Sequence, residues 1–113
     1  MARKNILTSN PPYAVEQTLK ELGENLRIAR LRRNLTIEEV AEKIGTGRRA
    51  VMDAEKGKPS TSAAAYVALL WTYDLLGQLN DVANPELDEH GLSLSLGRER
   101  TRAREKKGLD NEF

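Results

Sequence analysis

Apolar residues recur at threes and fours from Pro11 to about Asn34, at Val15, Leu19, Leu22, Leu26 and Ala29. That spacing lays one stripe along a long helix, with proline tolerated in its first turn. Gly23 interrupts the stripe at up to ~1 kcal/mol relative to alanine, so a bend or a two-part helix is an expectation there. Ile28 and Leu31 fall off the stripe, as scattered surface residues or as contacts for a second subunit. A second stripe follows at Ile37, Val40, Ala41 and Ile44, with Glu38, Glu39, Glu42 and Lys43 largely off it. Thr36 and Glu39 have the T-x-x-E spacing of a capping box at its start. Gly45-Thr46-Gly47 ends this helix, and Gly47 can cap another from Arg48 to Lys56, closed by Gly57 and Pro59.

Ser60-Thr61-Ser62 caps a fourth helix, Ala63 to about Leu75, whose AAAYVALLWTYDLL is apolar nearly all round. One of its faces must cover the preceding helices. A short fifth helix, Gly77 to Asn84, offers Leu79 and Val82 as part of a second cover. What remains open, at Trp71, Tyr73, Leu76 and Leu79, is the expected surface for a partner subunit. The fold class is therefore all-α, with a five-helix body at residues 11–84. Residues 1–10 form an N-terminal arm carrying Arg3 and Lys4, either a frayed end or a basic arm reaching phosphates. Pro85 begins a charged tail, 85–113. Within it Leu92-Ser93-Leu94-Ser95-Leu96 alternates with period two and predicts a short strand at 92–96. Arg98–Lys107 is a mixed charge run expected to be disordered unless it folds on a partner or on DNA.

Two turns of helix, a glycine-rich turn and a helix opening with two arginines give the spacing of a helix-turn-helix. The charge distribution agrees. Net charge is only +1, but residues 1–58 hold twelve basic against eight acidic side chains, while residues 59–113 are net negative. The positive excess thus accompanies the helix-turn-helix, as a phosphate-facing surface requires. Val51 and Ala54 should face the core, leaving Arg48, Arg49, Met52 and Asp53 on other parts of the surface. Arginine at the start of a helix in the major groove can bond guanine O6 and N7 together. Asp53 could accept from cytosine N4 or orient an arginine, and Lys56 and Lys58 suit phosphate contacts. With the turn residues Thr46 and Gly47, these form the candidate DNA-binding set.

Residues 22–58 resemble the helix-turn-helix of phage repressors, Cro proteins and Xre-type regulators. The resemblance is carried by Leu35-Thr36, Glu38-Glu39-Val40-Ala41, Ile44-Gly45, Arg48-Arg49-Ala50-Val51 and Glu55-Lys56-Gly57-Lys58. It implies a lambda-repressor-like fold, a dimer reading two half-sites of duplex DNA, and an ion pair between Arg30 and Glu55. Many members carry a glutamine clamp where this chain has Ile37, and the resemblance does not carry that clamp over. Residues 62–85, with Ala-Leu-Leu-Trp, Asp-Leu-Leu-Gly-Gln-Leu and Val-Ala-Asn-Pro, are similar to regulators encoded beside HipA-type kinases. That likeness implies a HipB-like antitoxin that represses its own operon as a homodimer and binds a HipA-like kinase toxin; the alternatives are a stand-alone Xre-type regulator with no toxin, or a protein-interaction module that retains the fold. It transfers no toxin-contact residue.

Other chemistries find little support. The chain has no cysteine, hence neither disulfide nor thiolate metal site, which fits a reducing cytoplasm. Its one histidine, His90, sits in the polar tail, and Gly45-Thr46-Gly47 lacks the G-K-[ST] of a phosphate loop. Adjacent Glu38 and Glu39 point to different helix faces. A non-enzyme without cofactor or metal is expected. No signal peptide opens the sequence, and the apolar run from Ala63 to Leu76 falls short of the ~20 residues that span a bilayer.

Overall fold

The computed structural model describes residues 5–111, with side chains described through Lys106. Among the described residues there are six α-helices, one 3-10 helix and no strand. They are α1 (Ile6–Ser9), α2 (Tyr13–Arg32), α3 (Ile37–Ile44), α4 (Arg48–Glu55), α5 (Ala63–Thr72), the 3-10 helix Leu76–Asp81, and α6 (Glu89–Asn111). The chain divides between Gly77 and Gln78 into two units, each internally compact.

In the first unit α4 packs against α2, α3 and α5, so the short helix with the arginines lies at the centre of the packing. The core is Leu26 and Ala29 of α2, Val40 and Ala41 of α3, Val51 and Ala54 of α4, Leu69 and Leu70 of α5, and Tyr73 just after it. Those of α2, α3 and α4 are the positions that helical periodicity assigns to the inner faces. The α2 stripe is buried only in its second half. Leu26 and Ala29 are enclosed, Leu19 and Leu22 are half-buried, and Val15 is exposed, because the first turns of α2 run beyond the helices that cover the rest. Ile28 and Leu31 are exposed, as their off-stripe spacing predicts.

Gly23 does not divide α2, which is continuous from Tyr13 to Arg32. Its role is close approach. A Cβ there would lie 2.6 Å from the carbonyl oxygens of Ala54 and Glu55 and 2.8 Å from the Gly57 nitrogen. From the other side Gly57, at φ +69°, would drive a Cβ into the backbone of Leu19 and Lys20. Two glycines therefore let the end of α4 and its exit turn lie directly on α2.

Four further expectations need correction. Tyr73 does not belong to a partner surface, being 1% exposed in the core. The fifth helix is a 3-10 turn over Leu76–Asp81, on which Val82 follows exposed and not as a cover. The tail has no strand at 92–96. Those residues belong to α6, whose first turn is capped by Asp88, its Oδ1 accepting from the Gly91 N–H at 2.9 Å. An unpaired strand would leave its amides without partners, whereas a helix bonds its own, so the period-two leucines do not fix the local structure. Arg98–Lys107, expected to be disordered, is helical as well. At the other end, residues 6–9 form one turn capped by Asn5, whose side chain accepts from the Leu7 N–H. Arg3 and Lys4 lie outside the described residues.

Candidate nucleic-acid interface

The two helices of the motif are set by local chemistry. Thr36 Oγ1 accepts from the Glu39 N–H at 3.1 Å, while Glu39 Oε1 accepts from the Thr36 N–H at 3.2 Å, completing the capping box. Gly45 then turns left-handed at φ 77°, its N–H bonding back to the carbonyls of Ala41 and Glu42. The Thr46 N–H donates to the Ala41 carbonyl at 2.9 Å, closing the turn. Gly47 enters α4 with extended backbone and no side-chain cap. The first amides of α4 therefore keep capacity for an acceptor from outside, the arrangement that favours phosphate oxygens at helix N-termini.

Thr46, Gly47, Arg48 and Arg49 are exposed on the turn before α4 and its first residues, and Lys56 just after its end, whereas Val51 and Ala54 anchor the opposite face in the core. Met52 is half-buried beside a shallow groove between α2, α3 and α4, which it lines with Ile37, Glu24 and Arg27. Ile37 thus places an apolar side chain in this groove. Asp53 Oδ1 lies 3.1 Å from Lys58 Nζ, and the Lys58 N–H donates to the Asp53 carbonyl at 3.1 Å. Asp53 therefore orients a cation, the lysine of the exit turn and not an arginine. Lys56 is the less constrained of the two lysines, making no ion pair among the described residues.

The ion pair implied between Arg30 and Glu55 is present and largely buried. Arg30 Nε donates to Glu55 Oε2 at 2.7 Å and Nη2 to Oε1 at 3.0 Å, the side chains being 10% and 7% exposed. Nη1 donates to the Leu35 carbonyl at 3.0 Å. One guanidinium thereby ties α2 to the end of α4 and to the loop before α3. The hydrogen bond to Glu55 holds the Arg30 pKa above its ordinary value, against the opposing effect of burial. Such planar two-pronged pairing fixes orientation as well as distance.

Sequence reasoning missed two contacts that shape this region. Arg33 Nη2 donates to the Tyr73 carbonyl at 2.8 Å and Nη1 to the Ala29 carbonyl at 3.0 Å, with the guanidinium carbon 5.6 Å from the Tyr73 ring centre. Arg33 stands in the basic run that ends α2, and nothing in its spacing separates it from Arg32. Glu38 Oε1 lies 3.5 Å from Arg48 Nη1, both side chains more than 60% exposed. That pair joins the start of α3 to the start of α4 across the turn. Of the expected partner surface, Trp71 is 54% exposed, Leu76 is exposed and Leu79 half-buried. Trp71 and Leu76 line an apolar groove with Ile44, Ala64, Val67 and Ala68, and Lys43 Nζ stands 5.5 Å from the Trp71 ring centre.

No helix among the described residues is long and apolar enough to cross a membrane. No curated protein and no solved structure matches the chain. A family model described as a helix-turn-helix domain matches residues 21–82, the stretch that holds α3, the glycine turn, α4 and α5. With that match covering more than half of its residues, the chain belongs to the helix-turn-helix domain family and is built as a DNA-binding regulator.

Proposed function

We propose that this protein is a sequence-specific transcriptional repressor, not an enzyme, acting in the cytoplasm as a homodimer on operator DNA with two half-sites. The observation that carries the reading is the two-sided character of α4. Val51 and Ala54 are locked into the core, Glu55 is held by Arg30, and Arg48 and Arg49 stand exposed at the opposite end. A helix so fixed presents its N-terminal arginines to the major groove at a defined angle, where a bidentate contact with guanine reads sequence. Lys56 and Lys58 reach phosphates, which set register and add affinity.

Two copies reading one side of a duplex must hold their recognition helices about 34 Å apart. The groove bearing Trp71 supports that arrangement, because its exposed indole, Val67 and Leu76 leave an apolar surface that a second copy would cover. The role of antitoxin to a HipA-like kinase is supported by the likeness of residues 62–85 alone, and it extends the repressor reading without altering it. The test is a mobility shift on the DNA immediately upstream of the gene, run at two salt concentrations beside random duplex. A regulator binds its own site about 10³–10⁷-fold more tightly than random DNA. Equal binding to both would reject sequence-specific repression. A kinase-like reading frame beside the gene, and co-purification of its product, would test the antitoxin role.

A further inference from the structure

The second unit carries a basic helix that lies beyond the matched helix-turn-helix domain. From Arg98 to Lys106, α6 holds five basic and two acidic side chains, a balance of +3 within nine residues of a chain whose net charge is only +1. All five cations are exposed, and among the described residues none forms an ion pair. At 3.6 residues per turn, Arg98, Arg102 and Lys106 form one row along the helix, and Arg100 and Arg104 form another on the opposite side. Like charges four residues apart repel; Glu99 and Glu105, each three residues from Arg102, offset this on the first row only, and Gly91, Gly97 and Gly108 weaken the helix further. Leu92, Leu94 and Leu96 lie in the first half of α6, but from Arg98 to Lys106 it is polar all round, with no face to pack on a core, and its cations are open to an anionic partner.

We infer that residues 98–106 of α6 form a second DNA-binding element, which grips the phosphates of the duplex on both of its sides without reading bases. This deepens the regulator reading and rests on it. A helix with its side chains is about 10–12 Å across, and the major groove is about 12 Å wide, so arginine rows on opposite sides face the two phosphate walls together. Flat surfaces would meet only one row. A lipid surface also requires an apolar face, and between Arg98 and Lys106 the only apolar side chain is Ala103. An acidic protein groove is the competing partner, and the experiment separates it.

The full chain is compared with the variant R98Q/R100Q/R102Q/R104Q, since glutamine keeps the helix preference of arginine while removing its charge. Fluorescence anisotropy on a random-sequence duplex is followed across a salt series, and circular dichroism checks that the variant keeps its fold. Each phosphate contact contributes about 0.9 to the slope of log affinity against log salt, so the variant's slope should be shallower by about 3–4. Its preference for the gene's upstream DNA over random duplex should be unchanged. Equal slopes, with upstream preference retained, would overturn the role of α6 and leave that of α4 standing, as expected if α6 serves an acidic protein instead. Loss of preference in the variant would also overturn it, because the element would then read bases. An intact chain that binds no duplex would remove both readings.

Discussion

Arg30 and Glu55, twenty-five residues apart, meet as a two-pronged ion pair that water barely reaches. The pair closes the end of α4 onto α2, so the angle at which Arg48 and Arg49 leave the surface depends on a contact at the other end of their helix. Removing one partner strands the other charge in a poorly hydrated place. Arg30→Ala should cost about 3–5 kcal/mol in urea or thermal unfolding. Replacing both partners, Arg30→Met with Glu55→Leu, should recover most of that loss, because a buried pair exchanged for apolar side chains of similar volume is often neutral. A melting shift of only a degree or two in the single variant would reject the buried placement.

Gly23 gives a prediction in which the sign decides. Helix propensity alone makes Gly23→Ala stabilising by up to ~1 kcal/mol. The contact with the carbonyls of Ala54 and Glu55 makes it destabilising by about 1–3 kcal/mol, since backbone cannot move aside as a flexible side chain can. Gly57→Ala should do at least as much harm, combining a left-handed φ with a backbone clash. Gly45→Ala is the control. It shares the left-handed φ but has open space around it, and should cost only about 1–2 kcal/mol.

Tyr73 makes stability depend on alkaline pH. Burial, reinforced by Glu55, pushes its hydroxyl up to about 12 against the opposing influence of Arg30 and Arg33. The buried hydroxyl has no hydrogen-bond partner among the described residues. Below pH 10 both folded and unfolded chains keep the proton. Between about 10 and 12 the unfolded chain releases it while the folded chain does not, so this contribution, of order 2 kcal/mol, is lost as pH rises through that window. Urea titrations at pH 9.5 and 11.5 should show the loss in the natural chain, and a smaller one in Tyr73→Phe. At neutral pH Tyr73→Phe should be neutral or slightly stabilising, since it removes an unsatisfied polar atom.

How far the sequence reaches is clear from particular residues. The capping box at Thr36 and Glu39, the glycine turn and the inward positions of α3 and α4 were legible, because each depends on neighbours within a few residues. Arg30 with Glu55 was legible only through family likeness, as its partner is remote in the chain. Tyr73 was misplaced because α5 is apolar on every side, so periodicity cannot choose its inner face. Gly23 was read as a weakness of one helix, although its reason lies on another. Leu92, Leu94 and Leu96 gave a strand pattern that no strand among the described residues completes.

Within the recognition region the exposed charges should separate by role. Arg48→Ala and Arg49→Ala should each cost about 1–3 kcal/mol on the preferred site and relax its sequence, whereas Lys56→Ala should weaken all duplexes alike and lower the salt slope by about 1. Glu38 sets a further test. Its pair with Arg48 is exposed at both ends, so Glu38→Gln should change folding stability by no more than about 0.5 kcal/mol. The same change removes a carboxylate that competes with DNA for Arg48, and affinity should rise a few-fold at low salt. Unchanged affinity would mean that Arg48 leaves Glu38 without cost or does not touch DNA.

Trp71 is the chain's only tryptophan, so the proposed dimer face carries its own reporter. In one copy the indole is 54% exposed, with Val67 and Leu76 beside it and the Lys43 ammonium near the ring. If a second copy covers that face, tryptophan emission should shift to the blue as protein concentration rises, in step with the mass measured by light scattering. Trp71→Ala should push the chain towards the monomer, because aromatic anchors near the centre of an interface commonly cost 2 kcal/mol or more when truncated. The core should survive that change, since Leu69, Leu70 and Tyr73, not Trp71, fill it. Affinity for a single half-site should then be retained while affinity for the paired site falls, because two linked contacts become two separate ones. Concentration-independent emission, together with a monomer mass that persists on operator DNA, would remove the dimer from the proposal and leave a regulator that reads one half-site at a time.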